Sequence, residues 1–520
     1  MTERAADAGP GRGWVERVTL TPPSLEDNSG DADRLARALK RRLGADAVRI
    51  ELPLLRRLPA LLRASDWALR CILFKEPGGW VVTRALPADD PRPAAGLAVD
   101  LGTTRVVMRL LDLETGHALG ERSFDNPQLS VGPDILTRIH HAATSGGLEH
   151  LTRLIIDGFN GEIGGLCSET GVSTEDLCLV SVAGNTAMTH LFLGLDPHWM
   201  VREPYIPAVN APGVLAARNL GLEIAPSARV FVFPNIGAYF GGDLIAGILH
   251  SGLHRSFDVG ILVDVGTNAE VVLGNENWLI ACAGAAGPAL EGGVSKIGAM
   301  AGPGIIDRVA IDPETRDFHI HTIDDEPAKG ICGSGFIDLA AQLFLRGMID
   351  IRGKLVPDRC GERFREGKGE PRLVIAPAEE SAAGEDLTIG QADLDSLIRS
   401  KAAMYTILET LTATVGVTFS DIAAFNVAGT FGVFIDPASA IAIGMIPDIP
   451  LGRFNPLGNS SLGGAAMALT SREALEAVYE IREGITYLEL NVNQDFMNRF
   501  SAAKFLPHTD TSRFPSVVRG

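Results

Sequence analysis

Two short turns in the sequence carry residues suited to holding a polyphosphate. Asp100-Leu101-Gly102-Thr103-Thr104 and Asp264-Val265-Gly266-Thr267-Asn268 share the pattern Asp-x-Gly-Thr-Thr/Asn and lie 164 positions apart. Glycine in such a turn lets successive backbone N–H groups converge on one point. A nest of this kind attracts phosphate oxygens. Thr103, Thr104, Thr267 and the Asn268 amide add side-chain donors. Asp100 and Asp264 would point into the same space, where a carboxylate holds Mg²⁺ directly or through water. Two such turns facing each other would grip the β- and γ-phosphates of a nucleotide from both sides. A plain hairpin accounts for one turn alone; two copies in matching apolar hairpins favour the nucleotide.

Three later glycine clusters bear on the same chemistry. Gly330 to Gly335 reads GICGSG ahead of a helix expected over Phe336 to Arg346. Ala428 to Phe434 reads AGTFGVF after the apolar run Ile422 to Val427. Gly458 to Ala466 reads GNSSLGGAA ahead of another helix. Each alone reads as a structural turn or as a ligand contact; beside the two phosphate turns they point jointly to an adenosine pocket and a hinge. Other phosphate motifs fail. Gly287 and Gly292 have the P-loop gap, but Gly293-Val294 follow in place of Lys-Ser/Thr. No Gly-x-Gly-x-x-Gly follows a strand, which disfavours a Rossmann site. No His-Glu-x-x-His or Gly-x-Ser-x-Gly occurs. His140 and His141 sit on an expected helix, where adjacent residues do not share a face.

The elements that position these turns follow from the apolar pattern. GLAVDLGTTRVVMRLLDL (96–113) and VGILVDVGTNAEVVLGNENWLI (259–280) each read as strand, tight turn and strand. A supersecondary unit repeated at 164 residues indicates two duplicated lobes, since a solenoid repeats every 20–50 or so. Helices are expected over Asp134–Thr144 and Gln391–Val415, so strands and helices alternate as in α/β layers. Upstream, Val15–Thr21 reads as a strand ended by Pro22 and Pro23, Asp31–Leu43 as a helix, and Val48–Leu62 as a short strand and a helix. Leu69–Phe74 and Trp80–Arg84 form an expected hairpin around Pro77-Gly78-Gly79, and PADDPRPAAG (87–96) is linker composition. Gly361–Gly384, rich in Glu, Gly, Pro and Arg, is expected to be an exposed excursion.

Composition narrows the class. The chain has 520 residues, a net charge of −18, 46% hydrophobic and 21% charged residues, and 58 glycines. That balance excludes a wholly disordered chain. The acidity argues against nucleic acid and against an anionic membrane as partners. Cys71, Cys167, Cys178, Cys282, Cys332 and Cys360 form no Cys-x-x-Cys pair. A disulfide scaffold, a zinc site and a one-chain iron–sulfur cluster are therefore not expected. Without a signal-peptide core or an apolar run of about 20 residues, a cytoplasmic location is expected.

The motifs together resemble the acetate-and-sugar-kinase, heat-shock-protein and actin superfamily, and within it the reductive activators of corrinoid proteins. The resemblance rests on AVDLGTTRVV (98–107), DNPQLSVGPDILTRI (125–139), VAGNTAMTHLFLG (182–194), FPNIGAYFGGDLIAGIL (233–249), LVDVGTNAEVVLG (262–274), GPALEGG (287–293), GICGSGFIDL (330–339), VAGTFGVFIDPASAIAIGMIPD (427–448) and LGNSSLGGA (457–465). It implies an α/β, two-lobed actin-like (ribonuclease H-like) duplicated ATPase fold preceded by a small α/β domain. The expected divisions are a disordered tail (1–15), a small middle-type domain with linker (16–95), the first lobe (96–258), the second lobe (259–470) and a C-terminal extension (471–520).

The resemblance also implies a function: ATP hydrolysis coupled to reduction of a corrinoid protein from Co(II) to Co(I). The alternatives are a small-molecule kinase on the same fold and a nucleotide-switched binding module. ATP and Mg²⁺ are the expected ligands. Asp100, Gly102, Thr103 and Thr104 match the first phosphate motif, and Asp264, Gly266, Thr267 and Asn268 the second. Asp100 and Asp264 are the expected metal-side carboxylates. Gly429, Thr430, Phe431 and Gly432 match the adenosine motif, with Gly333 and Ser334 as further cofactor contacts. Asp243 falls at the superfamily's lobe-connecting acidic position, either orienting the attacking water or capping the next helix. Glu291 lines the site or forms a structural ion pair, and Cys332 reads as packing. Family members carry an N-terminal 2Fe–2S ferredoxin-like domain or C-terminal 4Fe–4S motifs; this sequence has cysteines for neither, so no cluster is expected. Electrons are then expected from a separate low-potential donor such as a ferredoxin. Arg56, Arg57 and Arg63 are a candidate docking patch for it, or an ordinary solvated helix face. A homodimer is left open, as is a cluster bridging two subunits.

Overall fold

The computed structural model describes residues 13–265, 269–284, 297–366, 370–429, 435–488 and 494–518. They fall into two compact units: residues up to His250 together with Ser460–Glu483, and Ser251–Asn459 together with Gly484 onward. The helix Ser460–Thr470, expected at the end of the second lobe, packs on the first unit's strands. The remaining C-terminal residues are likewise divided. The helix Arg472–Gly484 belongs to the first unit up to Glu483, and Ile485–Tyr487 pairs with Trp278–Gly284 in the second.

In the first unit, a small sheet has the order Val15–Thr19, Ala68–Glu76, Gly79–Pro87, Val48–Ile50. Alternation along Ala68–Glu76 puts Leu69, Cys71 and Leu73 on one face, where they meet Leu35 and Leu39 of the helix Asp31–Leu43 and Leu58 and Leu62 of the helix Leu58–Ala64. Trp14, assigned to a loose tail by composition, is fully buried. Its ring lies 4.5 Å from that of Phe74, and its indole N–H donates to Ala468 O at 3.1 Å. A buried aromatic of this size outweighs the local polar composition.

The first lobe's sheet runs Ala118–Asp125, Arg105–Asp112, Ala95–Leu101, Leu177–Gly184, Arg229–Val232, Gly213–Ala216. The second lobe's sheet runs Trp278–Gly284, Ala269–Asn275, Gly260–Val265, Ala424–Ala428, Phe454–Gly458, with Ile485–Tyr487 added beyond the first of these. Each is an antiparallel three-strand meander continued by two parallel strands. This is the duplicated actin-like ATPase topology that the family resemblance implies. In the first lobe, Leu97, Val99 and Leu101 face the helix Gly147–Thr170 through Leu151, Ile155 and Phe159. Asp100 therefore falls on the opposite face, where the helix Ser460–Thr470 lies.

Three expectations are corrected. Gly361–Gly384 is not wholly an exposed excursion: Arg372–Ala376 is the central strand of a three-stranded sheet, and Leu373 and Ile375 are fully buried. Charged residues on its flanks masked a short apolar run. The GICGSG cluster does not precede its helix, which spans Gly333–Leu345 and so includes Gly333 to Gly335. The GNSSLGGAA cluster likewise runs into its helix, with Ser460 to Ala466 inside it. Gly463 sits against the His250 ring and Gly464 against Ala246 O, so the helix Ser460–Thr470 approaches the helix Gly242–Ser251 closely.

Candidate phosphate site

The first turn is held from three directions within the first unit. Asp100 is the penultimate residue of the inner strand Ala95–Leu101, in register with Val107 on one side and Ala183 on the other. A side chain on Gly102 would run into Arg105 O, so only glycine fits this tight reversal. Asn126 binds two carbonyls of the turn: its side-chain amide donates to Gly102 O at 2.9 Å and its backbone N–H to Thr104 O at 2.8 Å. The Asn185 amide donates to Thr103 Oγ1 at 3.0 Å, while its Oδ1 caps the helix Thr186–Leu193 through Met188 N–H at 2.9 Å. Ser461 Oγ donates to Asp100 Oδ1 at 2.8 Å.

Asp243 joins this group. It lies in the first turn of the helix Gly242–Ser251, and its Oδ1 accepts from Leu244 N–H at 2.9 Å. It is thus inside the helix and not at the N-cap position. Gly241 is wedged between Asn185 Cα and the Asp243 carboxylate, which stands Asp243 beside the end of Leu177–Gly184. Asp100, Thr103, Asn185, Asp243 and Ser461 therefore gather at the carboxyl end of the parallel strands, where open α/β sheets bind ligands. The donor set is carboxylate, hydroxyl and amide oxygen, which suits a hard cation such as Mg²⁺ and not a soft one.

The second unit repeats the register. Asp264 is paired with Glu270 on one side and Ala428 on the other, as Asp100 is with Val107 and Ala183. Gly429, with φ of +80°, follows that neighbouring strand; a Cβ there would lie 3.2 Å from Asp264 Oδ1. Asp264 and the start of the adenosine motif are thus brought together. Gly266, Thr267, Asn268, Thr430, Phe431, Gly432 and Glu291 lie outside the described residues. Gly333 and Ser334 start a buried helix on the strand Ile305–Ile311, with Ser334 Oγ 3.2 Å from Cys332 Sγ and 3.5 Å from Asp307 O.

Sequence reasoning did not single out Asn126, Asn185 or Ser461. A signal was available for Asn185: Val182-Ala183-Gly184-Asn185 and Val427-Ala428-Gly429-Thr430 repeat the same Val-Ala-Gly beside the two aspartates. All six cysteines are buried and free. Burial pushes the Cys71 and Cys178 thiols up to about 12 and Cys360 up to about 11, which marks them as packing groups. Among the described residues no helix is long and apolar enough to cross a membrane.

Comparison with known proteins agrees in order along the chain. Residues 14–90 match the RACo linker region, 95–256 the RACo middle region, and 258–518 the C-terminal domain of RACo, the ASKHA domain. The small domain read as middle-type thus corresponds to the linker region, and the middle region is the first lobe. The corrinoid activation enzyme RamQ of Eubacterium limosum is 30% identical over 417 residues, covering 79% of this chain and 70% of that protein. A Co(II) methylated amine-specific corrinoid protein reductase of Methanosarcina barkeri is 24% identical over 441 residues, covering 78% and 75%. A solved reductive activator for corrinoid, iron-sulfur protein shares 38% identity and a TM-score of 0.86, over 98% of this chain and 82% of that one. With Asp100 and Asp264 of the repeated motif set in matching registers, these matches show that the chain belongs to the family of reductive activators of corrinoid proteins.

Proposed function

We propose that this chain is an ATPase that couples hydrolysis to the one-electron reduction of a corrinoid protein from Co(II) to Co(I). The observation that carries the reading is the repeated register of Asp100 and Asp264, each at the end of an inner strand beside a Val-Ala-Gly strand end. The turn of Gly102, Thr103 and Thr104, and that of Gly266, Thr267 and Asn268, supply phosphate donors. Gly429 to Gly432 supply the adenosine contact, with Gly333 and Ser334 as further cofactor residues. Asp243 orients the attacking water; its proximity to Asn185, and so to Thr103, supports this role. Asp100 and Asp264 are the carboxylates that would hold Mg²⁺ directly or through water, an ion that would supply positive charge against the phosphates.

ATP turnover drives the reduction only through differential affinity of the two nucleotide states for the corrinoid protein. The electron is supplied by a separate low-potential donor such as a ferredoxin. The burial of every cysteine supports packing roles for them. The test is the absorbance of a Co(II) corrinoid protein under anaerobic conditions with a low-potential reductant. Conversion to Co(I) is expected with this chain and ATP, and not with the chain alone. Conversion that ignores ATP, or none with any corrinoid protein, overturns the reading.

A further inference from the structure

The helix Ser460–Thr470 begins where the chain re-enters the first unit, and its second residue reaches the first phosphate turn. Ser461 is 6% exposed, and its hydroxyl donates to Asp100 Oδ1 at 2.8 Å. The terminal torsion of an aspartate is soft, so the plane of its carboxylate is set by what binds it. A hydroxyl donating to an ionised carboxylate makes a charge-assisted hydrogen bond. It fixes that plane and leaves acceptor sites, since two carboxylate oxygens offer about four. Strand pairing places the Asp100 backbone, and the Ser461 hydroxyl reaches its carboxylate from the returning helix.

We propose that Ser461 is a positioning residue of the first phosphate turn: its hydroxyl holds the Asp100 carboxylate in the orientation that Mg²⁺ or its water ligands require. This rests on the reading of Asp100 as a metal-side carboxylate. Ser461 acts through Asp100 and does not itself touch nucleotide.

The test uses the full chain and two readouts. Calorimetric ATP affinity is measured with Mg²⁺ and with chelator, and the Mg²⁺ dependence of ATP turnover is measured in parallel. Ser461→Ala is expected to lose about tenfold of the Mg²⁺-dependent gain in affinity, the scale of one hydrogen bond to a charged group. It should raise the Mg²⁺ concentration for half-maximal turnover by a similar factor and leave metal-free ATP affinity unchanged. Ser461→Thr keeps a hydroxyl and is expected to restore both. Ser460 is the control: it is 1% exposed, and its hydroxyl makes no hydrogen bond among the described residues. Ser460→Ala should behave as wild type. The inference is overturned if folded Ser461→Ala keeps the full Mg²⁺ gain, if folded Ser461→Thr fails as Ala does, or if Ser460→Ala fails equally. Should Ser461→Ala not fold, Ser461→Cys, a similar shape with a weak donor, decides the same question. Absence of any Mg²⁺-dependent ATP binding by wild type would instead overturn the reading of Asp100 itself.

Discussion

Asp264 is held by strand register and stands 3.2 Å from where Gly429 would place a side chain. It is an interior position of a six-stranded sheet, but its carboxylate is not part of the apolar core. Asp264→Ala is therefore expected to leave the fold intact and cut ATP turnover by ~10²-fold or more, the loss typical of removing a group that stabilises transition-state charge. Unchanged turnover in a variant with wild-type circular dichroism would remove Asp264 from the phosphate site. A second carboxylate carries a stability prediction. Asp338 lies in the helix Gly333–Leu345, and burial pushes its carboxyl up to about 6; the nearby Asp436 charge adds to this, and the Ser439 hydroxyl opposes it. The folded chain then binds that proton more tightly than the unfolded one, whose carboxyl titrates near 3.9. Stability should fall as pH rises from about 4 to about 6, by on the order of 2 kcal/mol, and stay lower above that. Asp338→Asn should melt higher than wild type at pH 7 and equally at pH 4; parallel curves across that range would refute the assignment. At this scale the aspartates and threonines of the first turn were legible because the turn recurs. Asn185 and Ser461 were not, because they stand 82 and 361 positions from their partners. Only parallel pairing and a returning helix bring them there.

The helix pair Gly242–Ser251 and Ser460–Thr470 shows where element boundaries escaped the sequence. Glycines near an apolar run read as turn residues, since helix interiors disfavour them by about 1 kcal/mol relative to alanine. Here close approach outweighs propensity: a Cβ on Gly464 would overlap Ala246 O, and one on Gly463 the His250 ring. Burial lowers the His250 pKa, with the Arg109 charge adding to it. Gly464→Ala should thus reverse the usual sign. In place of a gain, it should cost about 1–3 kcal/mol, the range for overpacking a close contact. Urea unfolding measures this, and a variant as stable as wild type would show that the two helices separate without penalty. By contrast, the helices Asp31–Leu43 and Gln391–Thr414 lie where they were expected: the first buries Leu35 and Leu39 on one face, and the second is a long apolar run buried on most sides from Leu394 to Thr412.

At the scale of the whole molecule, charge is uneven. The chain carries −18 overall, yet residues 31–63 contain nine Lys and Arg against four Asp and Glu. The sum was legible in the sequence, but which of these cations are already neutralised was not. Arg63 is engaged: it pairs with Asp31 at 2.8 Å and lies over the Trp67 ring at 5.3 Å. Lys40, Arg41, Arg56 and Arg57 are exposed and have no carboxylate partner among the described residues. They sit on or beside the helical segments that share one face of the small sheet. A basic face on an acidic molecule favours encounter with an acidic protein and steers it to that face, an effect that salt screens. If the separate donor proposed above is an acidic ferredoxin, this face is where it would dock. Reversing all four charges to glutamate is expected to slow cobalt reduction by such a ferredoxin at least about tenfold at low ionic strength, within the span of steering effects. The difference should shrink as salt is added. Reduction by a small chemical reductant, and ATP hydrolysis, should be unchanged, since neither uses this face. Equal rates with the ferredoxin before and after reversal would exclude the basic face as its docking surface and leave the ATP-dependent reaction standing.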